Sequence, residues 1–544
     1  MTIAEKIVHL RVNAKMNQEA LADALNVTRQ SISKWESGQA QPQLSKLLEI
    51  AKLFAVTTDE LIDDDIVINK TTPVEVKKPK NKYFGTDGFR GESNKVLTAE
   101  HAFKVGRFLG WYYSKPEFRK KHRNKKACIV IGKDTRRSSY MFEYAIAAGI
   151  TASGADAYIL HVTSTPSVAY ITRTDQFDCG VMITASHNIF YDNGIKVLNS
   201  NGEKLEDDVT QLIEAYIDGK MNVLGVDGKD VPYAIRGDIG AVVDYVAGRN
   251  RYVGYLISVV SHSFRGLRVG LDCANGAAWN IARNVFEALG AEVHAVGIDP
   301  NGLNTNKDVG STHIENLQKY VKDNDLDVGF AFDGDADRCI AVDEKGRVVD
   351  GDKMMYILAK SLKKEGFLKN NTVVLTIMSN SGLVKAFNKL GIKTEQTKVG
   401  DRFVYERMLE KNYYLGGEQS GHVIIRKFAT TGDGVLTACK IAEEMIEQKS
   451  QLSKLCADVH LYPQVTKNVR VVDKTATVSD GAVLAKVEEI NKELNGDGRI
   501  LLRESGTEPV IRIMVECDSK ELCEKYINDV YTIVKKGGYI SEQD

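Results

Sequence analysis

The chain has 544 residues, 43% hydrophobic and 27% charged, a globular composition that excludes fibrous and disordered classes. At roughly 100–200 residues per domain it has room for about three to five domains. Its 72 Lys or Arg balance 73 Asp or Glu for a net charge of −1, so no chain-wide basic field draws it to nucleic acid or membrane, and any such binding has to be local.

Met1 to Lys6 lacks the basic stretch and apolar run of a secretory signal, and nowhere do about 18 apolar residues run uninterrupted. A soluble cytoplasmic protein without a membrane partner is expected. Residues 1 to about 62 predict short helices only, because apolar residues recur at helical spacing and β-branched alternation is missing. Asp63-Asp64-Asp65 and the Pro-interrupted, lysine-rich stretch from Lys70 to Asn81 read as a linker. From about 83 onward short β-branched runs alternate with helical ones. Cys128–Ile131, Met141–Ala152 and Ala157–Leu160 form one set, Leu267–Leu271, Ala277–Leu289 and Glu292–Val296 a second, and Thr372–Leu375, Gly382–Leu390 and Lys393–Gln396 a third. A smaller mixed block with a strand at Ile511–Val515 closes the chain. The eight cysteines (Cys128, Cys179, Cys273, Cys339, Cys439, Cys456, Cys517, Cys523) contain no C-x-x-C pair, which removes zinc sites and disulfide frameworks and leaves mostly small buried apolar residues.

Four polar segments interrupt this pattern. Thr184-Ala185-Ser186-His187-Asn188 follows the apolar run Gly180–Ile183 and precedes Asp192-Asn193-Gly194-Ile195-Lys196, so Ser186 falls at a strand end where substrate can reach a hydroxyl. By itself that pattern is more often a turn or cap. Phe332-Asp333-Gly334-Asp335-Ala336-Asp337-Arg338 places three carboxylates within five residues between two apolar runs. Such groups repel unless a cation sits among them, and hard oxygen ligands suit Mg²⁺ or Ca²⁺ better than the alternative of a solvated acidic turn. An EF-hand fails here, because Arg338 stands where that loop needs glycine and strand-like residues replace its helices.

Gly416-Gly417-Glu418-Gln419-Ser420-Gly421-His422 offers a carboxylate, an amide, a hydroxyl and an imidazole among glycines, an inventory that can grip sugar hydroxyls or simply make a polar turn. Arg503-Glu504-Ser505-Gly506-Thr507-Glu508-Pro509 with Arg512 reads as a phosphate cradle, against a surface salt-bridge turn. No G-x-x-x-x-G-K-[ST] occurs and no G-x-G-x-x-G opens a helix after a strand, which weighs against nucleotide chemistry.

Together with Tyr83-Phe84-Gly85-Thr86-Asp87-Gly88-Phe89-Arg90-Gly91, these segments resemble the α-D-phosphohexomutases over about 83–535, and among them the phosphoglucosamine mutase branch. Further matching segments are Asp134-Thr135-Arg136, Asp272 to Ala277, Gly302-Leu303-Asn304 with Gly310-Ser311-Thr312-His313, and Lys398 to Arg402. The resemblance implies an α/β fold of three mixed α/β domains plus a smaller α+β C-terminal domain, each giving one loop to a central cleft. It also implies Ser186 as the phosphorylated serine, with Asp333, Asp335 and Asp337 holding Mg²⁺ against it. Glu418 and Ser420 would hold the sugar, Arg503, Ser505, Gly506, Thr507 and Arg512 the phosphate not being transferred, and Arg90, His187, Lys196, Arg338 and His422 would surround the reacting oxygen. The implied reaction interconverts glucosamine 6-phosphate and glucosamine 1-phosphate through a 1,6-bisphosphate. Gln419 matches the glucosamine branch, whereas mannose and glucose mutases more often carry methionine there; phosphomannomutase or phosphoglucomutase activity is the alternative. Ile189 departs from the pattern, which usually has proline after Asn188, and 137–139 depart slightly.

In the first block, Gln18 to Gly38 resembles the lambda-repressor/Cro-like helix-turn-helix family. Ala20, Leu21, Ala24 and Ile32 have the spacing of two helices packed across a turn, and Thr28 is a plausible N-cap for the second. By that resemblance Gln18, Thr28, Arg29, Gln30, Ser31 and Lys34 would face DNA. Residues 1–65 carry seven Lys or Arg against ten Asp or Glu, so binding should be weak without a homodimer and salt-dependent. The expected organisation is a DNA-binding domain over 1–65, a linker over 66–82, and mutase domains over 83–235, 236–345, 346–460 and 461–544 with the serine, metal, sugar and phosphate loops in turn. Competing accounts are a repressor whose mutase part senses sugar phosphate, and a structural fusion without DNA affinity.

Overall fold

The computed structural model describes residues 1–14, 16–25, 27–54, 56, 58–63, 81–119, 126–505 and 509–541, in two compact units, 1–82 and 83–544. The expected linker, apart from its last two residues, and the phosphate-loop residues Gly506 and Thr507 lie outside the described residues.

The first unit consists of helices α1 (Ile3–Asn13), α2 (Gln18–Ala24), α3 (Arg29–Glu36), α4 (Leu44–Leu53) and α5 (Thr58–Ile62) around Leu21, Ala22, Leu25, Ile32, Trp35, Ile50 and Phe54. Thr28 caps α3 as expected, its Oγ1 accepting the Ser31 N–H at 3.2 Å. Ala24 does not pack as its spacing suggested. It is exposed, and Ala22 and Leu25 are buried instead, because a 3.6-residue spiral sets 21, 22 and 25 on one arc and turns 24 away. Arg11 forks onto Glu36 (Nε to Oε1 2.5 Å, Nη2 to Oε2 3.1 Å) and ties α1 to α3. The Gln18 amide donates to the same carboxylate at 2.8 Å, so its nitrogen is taken up inside the unit. Lys6 is fully buried, yet its ammonium donates to the Glu60 carbonyl at 2.8 Å and to that of Asp63, where the end of α5 needs donors.

Among its described residues the second unit carries 19 strands in four sheets. The first, in the order β1-β2-β6-β5-β3-β4-β7, comprises β1 (Phe84–Gly85), β2 (Gly88–Glu92), β3 (Cys128–Lys133), β4 (Asp156–Val162), β5 (Cys179–Ile183), β6 (Asp192–Asn199) and β7 (Val242–Asp244). The second, β12-β11-β10-β8-β9, comprises β8 (Arg268–Asp272), β9 (Glu292–Val296), β10 (Val328–Phe332), β11 (Cys339–Asp343) and β12 (Val348–Val349). The third, β14-β13-β15-β16, comprises β13 (Thr372–Thr376), β14 (Lys393–Thr397), β15 (Leu415–Gly417) and β16 (Val423–Ile425). The fourth, β17-β19-β18, comprises β17 (Gln464–Arg470), β18 (Arg499–Glu504) and β19 (Val510–Glu516) and is wholly antiparallel.

Every residue of β3, β5, β10, β11 and β13 is buried, the mark of strands covered by helices on both faces, which is why they read as apolar runs without alternation. The expected helices appear as Arg137–Ala152, Ala278–Ala288 and Ser381–Lys389. The second and third sheets share one continuous core, while the first and fourth have cores of their own. All eight cysteines are buried free thiols. Among the described residues no helix is long and apolar enough to cross a membrane.

Candidate active site

The serine, acidic and sugar loops leave buried strands, which anchor their backbones, whereas the phosphate loop leaves the half-buried β18. After β5 the chain reaches Ser186, whose N–H donates to Thr184 Oγ1 at 2.9 Å, while the Thr184 hydroxyl donates to Asp134 at 2.7 Å. Ser186 is 1% exposed and sits at φ +53°, in the left-handed region that a side chain with a Cβ rarely occupies. Its Oγ donates to Asp333 Oδ2 at 2.5 Å across 147 residues of sequence.

Asp333 opens the turn between antiparallel β10 and β11, closed by the Ala336 N–H to the Asp333 carbonyl at 3.1 Å and by Ala336 at φ +56°. Gly334 is required because a Cβ there would stand 2.6 Å from the Ser186 carbonyl oxygen. Oxygens of Asp333, Asp335 and Asp337 lie within 4.8 Å of one another, all buried. Lys196 on β6 donates to Asp335 Oδ2 at 2.6 Å and to Asp337 Oδ2 at 3.0 Å, and Thr165 Oγ1 donates to Asp335 Oδ2 at 2.5 Å. Asp335 Oδ1 and Asp337 Oδ1 are buried without a hydrogen-bond donor. Three clustered carboxylates with two such oxygens fit a hard divalent cation.

The electrostatics follow from burial and charge. Burial, then Asp337 and Asp335, push the Asp333 carboxyl well above the carboxylate range. Burial also works to raise Asp337, but Lys196, His422 and Arg338 hold it well below. Burial opposes the charge on Lys196 and on Arg338, yet the neighbouring aspartates keep both firmly cationic. His187 Nδ1 lies 3.1 Å from an Arg338 guanidinium nitrogen, and burial with Arg338 and Arg90 lowers its pKa to about 4; the neutral ring therefore accepts. For His422, burial works against a second proton while Asp337, Asp401 and Glu418 work for it, with the balance at about 8. The Gly432 N–H donates to His422 Nε2 at 3.0 Å, so the proton of the neutral ring sits on Nδ1, 3.7 Å from Asp337. Arg90 on β2 lies 3.6 Å from Asp87, and its buried Nε lacks a partner.

Glu418 enters from the β15–β16 turn, its Oε1 accepting the Gly400 N–H at 3.1 Å, and burial raises its pKa. Ser420 beside it is exposed. Lys204 reaches Asp401 at 2.6 Å and Asp87 at 3.6 Å, which links the first and third sheets beside the cluster. Arg503 and Arg512 form a separate group on the fourth sheet, directly opposite each other on β18 and β19, where burial and the like charge of Arg512 lower the Arg503 pKa. Buried Ser505 follows, its carbonyl accepting from Lys474 at 2.7 Å.

In the first unit Thr28, Arg29, Gln30 and Lys34 are exposed and Ser31 is partly so, while Gln18 is turned toward Glu36.

Family models for phosphoglucomutase/phosphomannomutase match 81–223 (alpha/beta/alpha domain I), 250–346 (domain II), 350–462 (domain III) and 467–533 (C-terminal domain), and a helix-turn-helix model matches 7–61. A phosphoglucosamine mutase of Lachnospira eligens is 58% identical over 458 residues, 84% of this chain and 99% of that protein. The chain belongs to the phosphoglucosamine mutase family. That of Bacillus subtilis is 47% identical over 84% of this chain and 98% of its own length. Among solved structures, a phosphoglucomutase/phosphomannomutase family protein from Burkholderia thailandensis has a TM-score of 0.67 at 23% identity, covering 84% of this chain and 97% of that one. Aspergillus fumigatus N-acetylphosphoglucosamine mutase in complex with GlcNAc-6P and magnesium has 0.59 at 16%, covering 84% and 96%. At these identities the two structures establish the shared fold.

Four contributors had no role in the sequence reading. Thr165 opens a helix between its cap Ser164 and Pro166 and has only the local signature of a helix start. Asn306 reads as a turn residue between glycines. Arg136 and Asp401 stood in matching segments, but their partners lie 50 or more residues away: Arg136 donates to the Ser186 carbonyl, and Asp401 pairs with Lys204.

Proposed function

We propose that the chain interconverts glucosamine 6-phosphate and glucosamine 1-phosphate through a phosphorylated Ser186 and a hexosamine 1,6-bisphosphate, as an isomerase working by phosphoryl transfer. The single observation that carries this reading is the Ser186 hydroxyl, 2.5 Å from Asp333 inside a buried cluster of carboxylates and cations. The relatives named phosphoglucosamine mutase support the choice of sugar.

Asp333, Asp335 and Asp337, with an oxygen on Ser186, are suited to hold Mg²⁺, which when bound would neutralise charge on the phosphoryl group. The chain's own groups divide the remaining work. Lys196 and Arg338 stay cationic, so they suit charge neutralisation rather than proton acceptance, and the Arg90 guanidinium lies among the groups placed to join them. In the first half-reaction the phosphoryl group leaves Ser186 Oγ for the free sugar hydroxyl, whose proton needs an acceptor while the departing Oγ needs a donor; the neutral His187 ring suits the first task and His422, with a pKa of about 8, the second. In the second half-reaction, after the bisphosphate turns over, Ser186 Oγ gives up its proton and takes the other phosphoryl group, and the sugar oxygen whose bond to phosphorus breaks takes a proton to become the free hydroxyl. Glu418 and Ser420 grip sugar hydroxyls, and Arg503, Ser505, Gly506, Thr507 and Arg512 hold the distal phosphate, which charge can recognise at either end of the sugar. In this reading 83–235, 236–345, 346–460 and 461–544 each supply one loop.

Ser186→Ala should abolish conversion of glucosamine 6-phosphate with the circular dichroism unchanged, and normal turnover in that variant overturns the assignment. Rates on the 6-phosphates of glucosamine, glucose and mannose, measured side by side, test the substrate; a preference for glucose or mannose selects the phosphoglucomutase or phosphomannomutase alternative.

For residues 1–65 the reading is a DNA-binding module, supported by the exposed, acid-free face of Thr28, Arg29, Gln30 and Lys34 and by the helix-turn-helix match. Dimerisation belongs to the same reading, since one short recognition helix contacts a single half-site. Footprinting with and without glucosamine 6-phosphate tests it, and no protected site at low salt ends it.

A further inference from the structure

Two carbonyls flank His187 in the serine loop, those of Ser186 and Asn188, and both are saturated in the same way. Asn306 Nδ2 donates to them at 2.7 and 2.9 Å, and Arg136 Nη2 donates to them at 3.0 and 2.5 Å. The two donors differ in origin. Arg136 follows β3, a neighbour of β5 in the first sheet, and therefore moves with the serine loop. Asn306 belongs to the segment between β9 and β10 of the second sheet, the sheet that also carries Asp333. Among the described residues only the asparagine ties the serine carbonyls to the carboxylates' own sheet.

Asn306 is itself fixed. It is 6% exposed, its N–H donates to the Ala274 carbonyl at 2.9 Å, and the hydroxyl of its neighbour Thr305 lies 3.0 Å from that of Thr135. Gly334 packs beneath, where an added Cβ would be 3.1 Å from Asn306 Nδ2 and 2.6 Å from the Ser186 carbonyl. The serine loop, the acidic turn and the 299–310 segment thus meet at one amide group. Ser186 needs such support, because its φ of +53° persists only when its surroundings over-determine it. The bond from Ser186 Oγ to Asp333 cannot supply that support during turnover, because Oγ is the atom that gains and loses the phosphoryl group. The Asn306 bonds to the carbonyls are untouched by that exchange.

We propose that Asn306 is a positioning residue that holds the Ser186 backbone so that Oγ stays aimed at Asp333 through both half-reactions. This rests on the mutase reading given above. Substrate binding does not pass through the amide, so its loss should appear in kcat and leave KM alone. Each lost bond to a buried carbonyl is worth severalfold, and two together predict a fall of roughly 10–100-fold.

The experiment compares the full chain with Asn306→Ala and Asn306→Asp. The aspartate keeps the shape but replaces both donated hydrogens with oxygen facing carbonyl oxygen. Turnover of glucosamine 6-phosphate, Mg²⁺ half-saturation and loading of Ser186 from a hexose 1,6-bisphosphate, read by intact mass, are measured on all three, with circular dichroism as the fold control. Expected are a roughly 10–100-fold lower kcat and slower loading for N306A, KM and Mg²⁺ half-saturation within about twofold, and a loss for N306D at least as large. Turnover of N306A within about threefold of wild type, KM rising in step with the fall in kcat, or N306D behaving as wild type overturns the proposal. Should N306A not fold, the isosteric N306D decides alone. A wild type that neither loads Ser186 nor converts any of the three 6-phosphates sinks the mutase reading, and the positioning role with it.

Discussion

Gly334→Ala tests how closely the serine and acidic loops must approach. Gly334 is not in the left-handed region, so alanine is acceptable to its backbone and only space is at stake. The new Cβ would lie 2.6 Å from the Ser186 carbonyl oxygen, 3.1 Å from Asn306 Nδ2 and 3.2 Å from Thr305 Cγ2, where ordinary contact begins at 3.4 Å. The first of these is backbone, so the loops must part by about 0.8 Å in that direction. Overpacking of this kind costs about 1–3 kcal/mol of stability. Its effect on catalysis should be larger in proportion, since the opening falls between Ser186 and Asp333, and a misplacement near 1 Å costs about 100-fold in rate. The assay is kcat for glucosamine 6-phosphate at saturating Mg²⁺, with a urea melt in parallel. A G334A enzyme within about threefold of wild type would show that the contact between the loops is not set by this glycine, and the reasoning would be wrong.

Lys196→Met removes the cation that bridges Asp335 and Asp337; breaking a buried pair costs about 3–5 kcal/mol, so the variant should melt lower in EDTA and recover more on Mg²⁺ addition than wild type, and equal recovery in both refutes the assignment. Asp352, buried near Asp350, has its pKa raised to about 8 from 3.8, so the folded protein keeps a proton that the unfolded chain has lost. That stabilisation is full below about pH 3.8 and is lost as pH rises through about 8; Asp352→Asn should therefore gain stability over wild type progressively from pH 5 to pH 8, by at most about 1.4 kcal/mol per pH unit, in urea unfolding, and a pH-independent difference contradicts it. In the first unit, Arg29→Ala with Lys34→Ala should weaken binding to a footprinted DNA and flatten its salt dependence by about one to two units of log–log slope, and an unchanged slope places DNA elsewhere.

Local sequence rules carried far in this chain because the relevant elements are long, apolar and bounded by glycine-rich loops. β3, β5, β10 and β13 read as strands since both faces are covered, and the acidic turn stands out because three like charges within five residues need a reason. Thr28 was legible as a cap from residue type alone. Ala24 was not legible, since Ala22 and Ala24 face different sides of α2 and residue type does not say which side the neighbouring helix covers.

The sequence by itself determined the alternation of strands and helices, the residue types in each loop and the family to which they correspond, all of which depend on neighbours a few positions apart. Only the tertiary structure decided that Ser186 meets Asp333 across 147 residues, that Asn306 braces the serine loop across 120, that Lys204 pairs with Asp401 across 197, and that the Gln18 amide turns to Glu36. Those partners are chosen by how sheets pack against one another, and an asparagine in a turn has the same local signature whether its amide faces water or donates to the backbone of a buried serine.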